Sequence, residues 1–166
     1  MPLRRSLAVG VAYAAPGFVV TFVPDHSLRL GLWLVVTWAA ASVAARLFVD
    51  QSIRLRPVRN GLVLGVLAGL ASAAALALGK GEMFTWIIGL WALSLGASEL
   101  FSGPDSDRFA GVLTLAFGTA QLIMPLNPVV NVGLFGAYLA VMGVWTIIGE
   151  LSPDATPQRE GAPEHG

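Results

Sequence analysis

From Arg108 to Leu151 the chain runs through two apolar stretches hinged on Pro125-Leu126-Asn127-Pro128, with a cation before the first and Glu150 near the end of the second. Neither stretch alternates polar and apolar residues as a half-buried strand would. Neither carries a polar stripe wide enough for a soluble amphipathic helix. A segment that is apolar on every side and sits in lipid must pair its backbone groups internally, so both stretches read as membrane helices. Two weaker copies of the same plan precede them, and three copies give six helices.

Composition supports lipid as the solvent. The 166 residues are 55% hydrophobic but only 12% charged, about half the charge of an ordinary soluble domain. A net charge of +0 leaves no electrostatic footprint for nucleic acid. With no cysteine and only His26 and His165, the chain lacks a disulfide framework, thiolate metal ligands and a cysteine nucleophile. Cations that are nearly all Arg, beside abundant Ala, Gly and Val, fit a bacterial source.

The six runs are Ser6–Val23, Leu28–Val49, Gly61–Gly79, Met83–Phe101, Phe109–Met124 and Val129–Gly149. Met1 to Ala15 imitates a signal peptide, but hydrophobicity continues through Phe18 to Val23, so a first membrane helix is expected. Placing the amino terminus inside puts Arg4, Arg5, Arg46, Arg54, Arg56, Arg59, Arg108 and Arg159 on the inner side and only Arg29 and Lys80 outside. The positive-inside rule then sets both termini in the cytoplasm. Short outer turns at 24–27, 80–82 and 125–128 predict three antiparallel hairpins, over about 5–50, 59–101 and 108–151. These form one domain, 1–151. The tail 152–166 has no apolar face and is expected to be disordered and cytoplasmic.

Each hairpin's second helix holds a glycine, a spacer and an aromatic: Gly31-Leu32-Trp33, Gly89-Leu90-Trp91 and Gly136-Ala137-Tyr138. Seven residues further on stand Gly96 and Gly143, with Trp38 in the first copy. In the third helix Gly61, Gly65, Gly69, Ala73 and Ala77 recur every fourth residue. Small residues let helix backbones approach closely where lipid offers no hydrophobic drive to associate. The candidate packing residues are thus Gly61, Gly65, Gly69, Gly89, Gly96, Gly111, Gly118, Gly136 and Gly143, with self-association of the chain as the alternative use of the stripe.

Charged candidates lie near helix ends. Glu99 reads as an interfacial acid set to pair with Arg108 or Arg46, and Arg46, Arg54, Arg56 and Arg59 as topology signals or contacts to anionic lipid. His26 in the first outer turn is a site where external acid would be met. The five tryptophans read as packing or interface residues. No serine–histidine pair, facing carboxylates, phosphate loop or CxxC motif occurs in the runs, so no enzyme activity and no cofactor are expected.

The triplicated plan resembles the HdeD-like family of bacterial membrane proteins. The likeness rests on Gly111-Val112-Leu113, Phe117-Gly118, Met124-Pro125, Leu134 to Leu139, Gly143 and Ile147 in the third copy. Trp91-Ala92-Leu93, Gly96 and Ala97-Ser98-Glu99 carry it in the second, and Gly31-Leu32-Trp33 to Arg46 in the first. It implies an all-α, six-helix inner-membrane protein with a role in acid or other stress resistance. The leading expectation is a non-enzymatic protein that acts through helix packing or self-association in the bilayer. The alternative is a small transporter or channel subunit, whose path Ser94, Thr114 and Gln121 would line.

Overall fold

The computed structural model describes residues 3–24, 26–49, 56–102, 108–124 and 127–151, with side chains for 10–24, 26–44, 61–101, 108–124 and 127–148. Six helices and no strand occur among them: α1 Leu3–Phe22, α2 Leu28–Val49, α3 Arg56–Ala77, α4 Met83–Ser102, α5 Arg108–Ile123 and α6 Pro128–Leu151. Two, over Met83–Phe101 and Pro128–Ile148, are long and apolar enough to cross a membrane; the apolar described stretches of the other four are shorter.

Local chemistry accounts for the helix ends. Ser27 Oγ accepts the Leu30 amide at 3.3 Å and caps α2. At α6, Asn127 Oδ1 accepts the amides of Val129 (3.0 Å) and Val130 (3.4 Å), with Pro128 next in line, where its missing N–H costs nothing. Helix α3 stops at Ala77, two residues before the expected end, because Gly79 takes φ 69°. The Lys80 amide then reaches the Ala75 carbonyl at 2.9 Å and the Gly79 amide the Leu76 carbonyl at 3.1 Å, a Schellman cap. This glycine makes the turn for which the other copies use proline. At its other end α3 starts at Arg56, before the expected Gly61, with Pro57 tolerated in the first turn.

Going round the bundle, contacts follow chain order and α6 returns to α1. The closest backbone approaches are α1 with α6, α4 with α5, and α2 with α3, whereas α5 and α6 barely touch through their backbones. The tight pairs are thus offset by one helix from the expected hairpins. In two of the three pairs seven-residue glycine spacing is the cause, since residues seven apart lie on nearly one helix face. Gly10 and Gly17 of α1 face Gly143 and Gly136 of α6, and Gly111 and Gly118 of α5 face Gly96 and Gly89 of α4. A Cβ on Gly143 would lie 2.5 Å from the Ala14 amide nitrogen, and one on Gly96 2.8 Å from the Gly111 carbonyl oxygen. Backbone fills those places.

The even-numbered helices supply the aromatic centre. Trp38 of α2 meets Trp91 of α4 edge-on at 4.9 Å and Phe135 of α6 at 6.4 Å. Phe84 meets Phe135 at 5.8 Å, and Trp91 meets Tyr138 at 6.0 Å. Such edge-to-face geometry suits the ring quadrupoles.

The first copy of the glycine–aromatic motif does not match the other two. Trp91 and Tyr138 are buried, but Trp33 is 55% exposed, and Trp38 is the inward ring of α2 at 1%. In α4 and α6 the motif glycine turns toward a neighbouring odd helix, so a residue two positions on, about 200° round, reaches the centre. Gly31 itself faces the centre, against Phe84 and Val132. The same rotation therefore throws Trp33 outward.

Candidate functional site

Polar side chains gather where the backbones of α5 and α6 stand apart. Thr114, Phe117 and Gln121 share one face of α5; Asn131, Phe135 and Tyr138 share one face of α6. All six are buried. Phe117 stacks on Tyr138 with centroids 4.3 Å apart and planes at 12°. The Thr114 Oγ1 donates its one hydrogen to the Ala110 carbonyl at 2.8 Å and accepts from the Tyr138 hydroxyl, 3.0 Å away. Gln121 Nε2 donates to the Asn131 carbonyl at 3.0 Å, while Gln121 Oε1 has no partner among the described residues. Side chains, not glycines, hold this seam.

The seam offers a hydroxyl, a phenol and two side-chain amides. No group of three His, Cys, Asp or Glu converges among the described residues. The seam's chemistry is that of a hydrogen-bonded clamp. Four other hydroxyls are absorbed locally: Thr21, Thr37, Ser94 and Thr146 each donate to a carbonyl one turn back.

The predicted packing glycines fall into two sets. Gly89, Gly96, Gly111, Gly118, Gly136 and Gly143 each lie against an opposing helix so closely that a Cβ would come within 3.2 Å of a neighbouring atom. The α3 stripe is looser. A Cβ on Gly61 would sit 3.6 Å from Leu95, one on Gly65 3.6 Å from Trp38, and only Gly69 is tight, at 2.7 Å from the Ala39 Cβ. Four-residue steps gain about 40° each on a 3.6-residue helix, so the stripe starts toward α4, crosses α2, and ends outward at exposed Ala73 and Ala77.

Glu99 is half-buried, with its Cβ beside Gly111, while Arg108 is exposed at the start of α5. Arg54, Pro125, Asp50 and the tail 152–166 lie outside the described residues, as do the side chains of Arg46, Arg56, Arg59 and Glu150. His26 Nδ1 is 3.3 Å from the Pro24 carbonyl oxygen. Of the tryptophans, Trp38 and Trp91 are core; Trp33, Trp86 and Trp145 are exposed. Ser94, Thr114 and Gln121 do not share a lining, because Ser94 is exposed and the other two are enclosed in the seam. Asn131 and Thr85 are buried polar residues that the sequence reading missed. Asn131 falls one helical turn before Phe135 and two before Tyr138, the only signal that it faces inward. No family model, curated protein or solved structure matches this chain, so its interpretation rests on its own geometry.

Proposed function

We propose that the chain is a six-span protein of the bacterial cytoplasmic membrane, of HdeD-like type, non-enzymatic and associated with acid or other stress. Its six helices form three related hairpins with both termini in the cytoplasm, and it acts by packing against itself or a partner within the bilayer. The carrying observation is an apolar outer surface. Every helix exposes large apolar side chains: Phe18, Trp33, Leu70, Leu90, Val112 and Val141, one from each, are all at least half exposed. The buried set meanwhile includes Ser72, Thr85, Thr114, Gln121 and Asn131. Water would not tolerate an apolar surface running round a whole monomer, whereas lipid does.

A transport role draws less support, because the Thr114 hydroxyl donates to the Ala110 carbonyl, Gln121 Nε2 donates to the Asn131 carbonyl, and Ser94 faces elsewhere.

The absence of cysteine makes the test direct, since each introduced thiol reports alone. Lys80→Cys should react with a membrane-impermeant maleimide in intact cells, and Gln158→Cys only after permeabilisation. The reverse pattern overturns the orientation, and release of the protein by alkaline carbonate overturns the membrane reading. Cells lacking the protein should survive acid challenge less well than the parent; equal survival removes the stress role.

A further inference from the structure

A wide groove runs along the α2–α3 pair. In α1–α6 and α4–α5, glycine meets backbone at two levels one heptad apart. Between α2 and α3 that contact is reduced to Gly69 on Ala39, and the outward rotation of the α3 stripe opens the rest. The opening is about 520 Å³, walled by Ala40, Val43, Leu70 and Ala73, within the range of about 300–1,000 Å³ usual for ligand pockets. It continues past Val36 and Ala73 into a second space of about 320 Å³ that ends at Trp33 and Arg29.

Apart from that end, the wall is apolar. Arg29 is exposed there, and no acidic side chain pairs with it among the described residues. Gly81 packs against Leu28 and the Arg29 amide, which brings the turn bearing Lys80 and Glu82 beside the same mouth. From Arg29 to Ala44 the groove follows about 22 Å of helix, enough to cross one leaflet of a hydrocarbon core about 30 Å thick.

We propose that this groove binds one acyl chain of an anionic phospholipid from the outer leaflet, with Arg29 against the headgroup phosphate; the proposal rests on the membrane reading above. A cation at the interface end of an apolar channel is complementary to a molecule that is anionic at one end and hydrocarbon along the rest. A helix from a second copy would instead need room for a cylinder about 10 Å across.

The test is native mass spectrometry of the detergent-purified protein incubated with phosphatidylglycerol or phosphatidylcholine. The parent should retain one phosphatidylglycerol, in preference to phosphatidylcholine by about fivefold, the effect expected of one surface cation. Ala73→Leu, which fills the groove from an exposed position, should abolish retention of either lipid. Ala74→Leu, exposed but outside the groove, should not. Arg29→Gln should keep binding and lose the preference. Equal retention by the parent and Ala73→Leu overturns the proposal, as does a lipid-free dimer that Ala73→Leu converts to monomer. A protein that stays soluble without detergent instead overturns the membrane reading, so the two failures are distinguishable.

Discussion

Gly17 and Gly136 meet across the α1–α6 contact so closely that a Cβ on Gly17 would lie 2.6 Å from the Gly136 carbonyl oxygen. The obstacle is backbone, which cannot rotate out of the way as a side-chain tip can. Gly17→Ala should therefore destabilise by about 1–3 kcal/mol, the usual cost of overpacking. Gly65→Ala, whose new methyl would rest 3.6 Å from the Trp38 ring, should be neutral or slightly stabilising. Reversible unfolding in mixed micelles measures both, and equal effects would show that the glycine contacts do not set the packing.

Tryptophan position gives a second prediction. Brominated lipid should quench single-tryptophan variants that retain Trp33, Trp86 or Trp145, all about half exposed, far more than one retaining Trp38. Trp38→Ala should cost about 3–5 kcal/mol as a large buried truncation, and Trp33→Ala under about 1 kcal/mol.

How much of this was legible in advance depends on which property a residue encodes. Helix positions were readable because Asn127-Pro128, Ser27 and Gly79 act on their own neighbours. Helix partners were not. A heptad of glycines announces that some face is close-packed but names no partner, so α4 was expected to pair with α3 and instead lies closest to α5. The exchange of Trp33 for Trp38 has the same origin, since a side chain's direction depends on where the helix's neighbours stand. In the seam, Thr114 and Gln121 stood out as polar residues in apolar runs, but their partners on α6 were settled only by the fold.

The Thr114–Tyr138 pair should couple weakly. A double-mutant cycle with Thr114→Val and Tyr138→Phe should yield about 0.6 kcal/mol, typical of interhelical hydrogen bonds in membranes. A value near zero would leave the Phe117 stack as the force holding the seam.

Gly79→Ala isolates backbone strain. Nothing lies within 4 Å of the added methyl, so any loss comes from the left-handed conformation alone. About 1–2 kcal/mol is expected, with Gly79→Asn losing less; thermal unfolding in detergent decides between them.

The closure of α6 onto α1 also bears on the order in which the molecule can be made. Of the six described helices the earliest made, α1, finds its tightest partner in the latest, α6. Until α6 arrives, the glycine face of α1 lacks the partner it packs against, and α1 has only its looser contact with α2. Pairings between α2 and α3, and between α4 and α5, can form as each segment is completed, but the ring shuts in a single late step of long sequence separation, the kind of step that makes assembly slow. During synthesis α1 is therefore the helix most open to capture by another chain or an insertion factor.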